Sequence, residues 1–265
     1  MHELRTILTA VQFYTVLPVP AFEFRPEYFQ KILRYSSLVG LLIGGIGALI
    51  FWTTNRWYPV EVAVLLCLFG TAILTGCLHE DGFADFCDGL ALAGDRAEKL
   101  ERMRDSRLGQ IGALAAILMI LLRYVTLAAL PASLIPVAIL IGHSVGRFAS
   151  AAYVFDLDYS ATEASRVRAG GTQASGIKPT ITRMQSGDLL TAGAVAGLTL
   201  CLAHEPLYLL TVPILMIAYL IFRLLLLRTL GGYTGDGLGA AQQFFEAVIY
   251  LTFAAVAVIA AEVTV

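Results

Sequence analysis

Seven blocks of mostly apolar residues succeed one another along the chain, at 36–53, 60–78, 109–130, 132–155, 188–203, 206–227 and 240–262. Each comes near the roughly 20 residues that a helix needs to cross about 30 Å of hydrocarbon. The fifth is short and interrupted by Gly193 and Gly197, so it reads as tilted, re-entrant or longer than drawn. The segment TILTAVQFYTVLPVP, 6–20, is shorter still and ends in a double-proline stop, the mark of an interfacial helix. The pattern predicts an all-α integral membrane protein, a polytopic bundle of about seven transmembrane helices behind an N-terminal interfacial one, with residues 1–265 as a single membrane-embedded domain. Within the first block, Gly40, Gly44 and Gly47 form a small-residue stripe that predicts close helix packing.

Composition strengthens this picture. Apolar residues make up 58%, charged ones 14%, and the mean hydropathy is +0.76, well outside the usage of soluble domains. A formal net charge of −2 without a basic patch sets nucleic-acid binding aside. Cys67, Cys77, Cys87 and Cys201 contain no C-x-x-C pair, which speaks against a disulfide frame or a zinc site. Residues 1–35 are mixed in charge and carry Pro18, Pro20 and Pro26, unlike a cleavable signal peptide. Of 18 Lys and Arg residues, only Arg56 falls in a loop opposite the N-terminal side. By the positive-inside rule the N-terminus and every long polar loop face the cytoplasm.

Those loops carry the chemistry. Residues 78–90 read LHEDGFADFCDGL and crowd His79, Glu80, Asp81, Asp85 and Asp88 at the end of a span. If 79–89 is helical, Asp81, Asp85 and Asp88 share a face. Like charges so close call for a cation, and an all-oxygen set suits Mg²⁺, which commonly also holds substrate phosphates. Glu80, Asp81, Asp85 and Asp88 are the expected metal ligands. Downstream, RMRDSRLGQIG, 102–112, places Asp105, Ser106 and Arg107 ahead of the third span, where a helix N-terminus and an arginine make an anion site. A third stretch, GGYTGDGLGAAQQFFE at 231–246, adds Thr234, Asp236, Gln242, Gln243 and Glu246 near a membrane boundary, where such groups are costly unless functional. The inferred topology puts all three stretches on one side. The glycine- and serine-rich run 163–178 reads as a lid or a linker.

Taken in order, LHEDGFADFCDGL, RDSRLGQIG and GGYTGDGLGAAQQ resemble the motifs of the cobalamin synthase family, adenosylcobinamide-GDP ribazoletransferase, with weaker agreement at LPVP (17–20) and GRF (146–148). The resemblance spans nearly the whole chain. Two positions depart from it: Val16 stands where the family commonly has arginine, and Phe148 where it has tryptophan. The resemblance implies a Mg²⁺-dependent transferase of the cell inner membrane that joins adenosylcobinamide-GDP to α-ribazole or its 5′-phosphate and releases GMP. Its partners are those small molecules and the bilayer, and a homo-oligomer is left open. Within that reaction Asp85 or Asp88 is the expected base, Arg107 holds phosphate, and Asp105, Ser106, Arg147, Thr234, Asp236 and Gln243 bind substrate. His79 reads as a proton carrier or a hydrogen-bonding filler.

Two other readings compete. A CDP-alcohol phosphotransferase of phospholipid synthesis would open with D-G-x-x-A-R, whereas Asp81 and Gly82 are followed by Phe83, Ala84 and Asp85. An ion-coupled transporter would want acids near the midplane and matching halves; here the acids crowd a loop.

Overall fold

The computed structural model describes every residue except Phe24, Ser106, 161–182, His204, Glu205 and 264–265, together with all side chains but those of these residues, Pro206 and Val263. Ser106 and the run 163–178 therefore lie outside the described residues. Among those described, the chain is helical throughout: α1 (His2–Tyr14), α2 (Pro26–Gln30), α3 (Ser36–Thr54), α4 (Val60–Leu74), α5 (Leu78–Ala91), α6 (Arg96–Met103), α7 (Gln110–Ala128), α8 (Ile135–Asp156), α9 (Ser186–Leu200), α10 (Thr211–Leu230) and α11 (Gly235–Val263). Short 3₁₀ turns at Ile32–Tyr35 and Pro206–Leu210 lead into α3 and α10.

Among the described residues, five helical runs are long and apolar enough to cross a membrane: Ile32–Thr54, α7, α8, Leu207–Leu230 and Gly235–Glu262. A sixth arises if α4 and α5, which meet at 87°, count as one broken span. The protein is thus a multi-pass helical membrane protein, with two departures from seven uniform spans. The block 60–78 stops at Leu74 and bends. The block 188–203 yields only the 15 residues of α9, roughly 22 Å of helix at 1.5 Å per residue, short of the hydrocarbon thickness.

At the centre lies α8, buried on most of its surface and packed against α3, α9 and α11. The glycine stripe of α3 makes this possible. A Cβ on Gly40 would run into the His143 carbonyl of α8, and one on Gly44 would lie 3.0 Å from Leu140 Cα. By contrast α7 and α10 expose rows of Leu and Ile, such as Leu114, Ile117, Leu118 and Leu121, as lipid-facing helices do.

Candidate active site

The acidic motif is a helix, and its placement follows from the turn before it. Gly76 (φ +60°) and Cys77 (φ +56°) both adopt left-handed backbone, Cys77 being the one non-glycine residue to do so among those described. That conformation costs a non-glycine residue about 1–3 kcal/mol and persists only where the surroundings impose it. Here the end of α1 and the residue ahead of LPVP brace the bend: the Val16 N–H donates to the Leu74 carbonyl at 2.9 Å, and Tyr14 of α1 stacks on buried His79 with centroids 6.1 Å apart. The side chain of Val16, at the position where the family resemblance expects arginine, is exposed.

After the bend α5 lies across α11. Gly82 and Gly239 face each other at the crossing, where a Cβ on Gly239 would stand 3.4 Å from Gly82 Cα. Without side chains in the gap, the carboxylates of the two helices come together: Asp81 and Asp85 lie within electrostatic reach of Asp236. Asp81 is exposed, Asp85 and Asp236 are half-buried, and none of the three is in an ion pair among the described residues.

Asp88 has a different setting. It is buried and accepts hydrogen bonds from the Gly109 N–H at 2.6 Å and the Gly112 N–H at 2.7 Å, and it pairs with Arg102 at 2.9 Å. The anion at the N-terminus of α7 is therefore the chain's own carboxylate, a cap supplied in trans. The glycines of RLGQIG permit it, since a Cβ on Gly112 would lie 2.5 Å from the Ala84 carbonyl oxygen.

Glu80 leaves α5 on another side. Its Oε1 accepts from Gln243 Nε2 at 2.9 Å and faces Arg123 Nη1 at 3.4 Å, while Oε2 is buried without a hydrogen-bond partner among the described residues. Arg123 is only the edge of a deeper lattice. It donates to Gln243 Oε1 at 2.6 Å and pairs with fully buried Glu246 at 2.6 Å. Glu246 in turn meets His143 Nδ1 at 2.6 Å, Arg147 Nη1 at 3.6 Å and the amide of Gln242. Two glutamates face two arginines there, and such pairing is how charge survives burial. Arg147 and Gln243, expected at the substrate, thus sit inside this lattice. Thr234, also expected there, caps α11 by accepting from the Gly237 N–H at 2.9 Å, directly after Gly231 (φ +67°) has ended α10.

Beyond the C-terminal end of α5 opens a cleft of about 910 Å³, bounded by α6 and the segment leading to α7. Arg102, Arg104, Asp105 and Arg107 line it. Arg107, largely exposed, chelates Asp105 with Nη2–Oδ2 at 2.6 Å, and these hydrogen bonds hold the Asp105 carboxyl down at about 2.

Whether Mg²⁺ suits these residues is a matter of free oxygens. Among the described residues no three His, Cys, Asp or Glu side chains are grouped to share an ion. Mg²⁺ beside substrate phosphates, however, commonly takes only one or two carboxylates and keeps its waters. Among the described residues Asp81 and Asp85, with Asp236 nearby, are the acids of the α5–α11 crossing that stand in no ion pair, and they fit that role. Glu80 is tethered to Arg123 and Gln243, and Asp88 is committed to α7.

Sequence reasoning singled out every acid of α5. It did not find the partners Arg102 and Arg123, or the place of Glu246 in the lattice. The signal present was intramembrane charge: Arg123, Arg147 and Glu246 lie in three apolar helices, where burial demands a partner.

Residues 6–254 match the family model for cobalamin-5-phosphate synthase. A protein of Shewanella amazonensis named adenosylcobinamide-GDP ribazoletransferase is 37% identical over 94% of this chain and 95% of its own length. Proteins with the same name from Shewanella oneidensis, 37% identical over 94% and 93%, and Shewanella woodyi, 36% over 95% and 97%, are similar to the same extent. No solved structure matches the chain.

Proposed function

The chain belongs to the cobalamin-5-phosphate synthase family, a transferase of late cobalamin biosynthesis, and from that premise we propose how its residues divide the work. The reaction joins adenosylcobinamide-GDP to α-ribazole or its 5′-phosphate. The acceptor hydroxyl attacks the corrinoid-side phosphorus of the pyrophosphate, a P–O bond forms, and the bond to GMP breaks with its electron pair leaving on GMP.

The observation that carries this reading is the crossing of α5 and α11, which sets three carboxylates, without ion-pair partners among the described residues, beside an arginine-lined cleft. Transfer of this kind depends on positioning and charge neutralisation more than on covalent help. Asp81 and Asp85, with Asp236 close by, would hold Mg²⁺, which when bound supplies charge neutralisation on the pyrophosphate. Arg107 exchanges its contact with Asp105 for phosphate oxygens, a bidentate match for guanidinium. Asp88, through Arg102 and the N-terminus of α7, fixes α5 against the wall of the cleft. Where Mg²⁺ would be held by Asp81 and Asp236, Asp85 is left to take the acceptor proton, for which it is better placed than Asp88, whose oxygens are committed to Arg102 and the start of α7. Arg147, Gln243 and Thr234 act through the lattice and the cap that set α11, and so support the site from behind. The protein sits in the cell inner membrane with its N-terminus and this site on the cytoplasmic side, in keeping with the distribution of Lys and Arg.

The test is GMP release and corrinoid product formation by the purified protein in detergent, given adenosylcobinamide-GDP, α-ribazole and Mg²⁺. Turnover that stops when Mg²⁺ is chelated supports the reading. A folded protein without turnover refutes it, and CDP-alcohol substrates would then be tried.

A further inference from the structure

Resting on the reaction proposed above, we infer that the cleft beside α6 is the guanine-nucleotide subsite and that Glu101 reads the guanine. At about 910 Å³ the cleft lies in the size range of ligand sites. Its lining is divided in a way that suits a nucleotide. Leu92, Ala93 and Ala97 offer an apolar wall for a base, and Arg102, Arg104 and Arg107 supply cationic groups for phosphates.

Three acids line the same cleft, and two are spent. Glu98 closes the capping box of α6, its Oε2 accepting from the Asp95 N–H at 2.8 Å. Asp105 is held by Arg107 at 2.6 Å and Arg102 at 3.5 Å. Glu101 is in no hydrogen bond or ion pair through its carboxylate among the described residues. A carboxylate offers two acceptor oxygens and no donor. Guanine presents two adjacent donors, N1–H and the 2-amino group, to which such a fork bonds twice. Hypoxanthine keeps one of them, and adenine turns an acceptor toward it.

The location fits as well. Arg102 reaches from the cleft to Asp88, one helical turn from Asp85. The pyrophosphate of a nucleotide seated against α6 is thereby directed toward Asp81 and Asp85, and GMP leaves into the cleft it already occupies.

The experiment is a calorimetric titration of the full chain in detergent with GMP, IMP and AMP, followed by steady-state kinetics. GMP is expected to bind about tenfold more tightly than IMP, one charge-assisted hydrogen bond's worth, and more tightly still than AMP. Glu101→Gln, at an exposed position, brings the three within about threefold. It raises KM for the GDP-activated corrinoid by about tenfold with acceptor KM unchanged. Ala97→Trp, which fills the cleft, weakens all three nucleotides. Equal GMP affinity in wild type and Glu101→Gln, no GMP binding at all, or Ala97→Trp binding GMP as wild type does, each overturns the subsite even while GMP release continues. Failure of the wild type to release GMP instead strikes the reaction itself, and the inference falls with it.

Discussion

Glu246 is fully buried and serves Arg123, His143, Arg147 and Gln242 at once. Removing its charge leaves two arginines with one glutamate between them, and breaking a buried pair from one side costs about 3–5 kcal/mol. Glu246→Gln is therefore expected to lower the thermal unfolding midpoint in detergent sharply, more than Glu101→Gln or Asp81→Asn at exposed positions. A midpoint unchanged by Glu246→Gln would mean the lattice does not hold the bundle. Asp88 is a second residue whose role follows from its partners. Asp88→Asn keeps the shape but loses the charge that faces Arg102 and the α7 dipole, so a loss of stability of about 1–3 kcal/mol should accompany any loss of activity.

At the scale of elements, the decisive contact is α5 on α11. Gly82→Val puts bulk where Asp236 Cα and Gly239 Cα already stand 3.3 and 3.5 Å from a hypothetical Cβ. The helices must part, and turnover is expected to fall by about a hundredfold, the scale that a 1 Å misplacement can cost. Gly45→Ala, with nothing within 4 Å of its Cβ, serves as the control and should match wild type. Such spacing also shows what the sequence could and could not disclose. The i, i+4, i+7 rhythm of Asp81, Asp85 and Asp88 announced a helix, and α5 is one. It could not announce that Asp88 turns away to cap α7, because Arg102, Gly109 and Gly112 lie 14 to 24 residues downstream. Likewise the run 60–78 is apolar to its end and read as one span. Its break comes from left-handed backbone at Gly76 and Cys77, which hydropathy does not register. Arg123 was visible as a charge in a span, but its partners come from α5 and α11, a matter of tertiary packing alone.

For the molecule as a whole, the placement of Lys and Arg and the course of the helices make one face the working face. On the topology proposed above, Cys77 and Cys87 face the cytoplasm and Cys201, the C-cap of α9, faces the other side. A membrane-impermeant thiol reagent applied from outside to spheroplasts should label Cys201 and spare Cys77; the reverse pattern would invert the topology and move the site out of the cytoplasm. The central claim is that the uncompensated carboxylates of α5 and α11 do the chemistry beside a phosphate-holding cleft. It is tested most directly by the Mg²⁺ dependence of GMP release in wild type, Asp81→Asn and Asp85→Asn, each first shown to be folded. The account predicts turnover that requires Mg²⁺ in the wild type and falls at least about a hundredfold in both variants. Variants that release GMP at the wild-type rate and with the same Mg²⁺ dependence would contradict it.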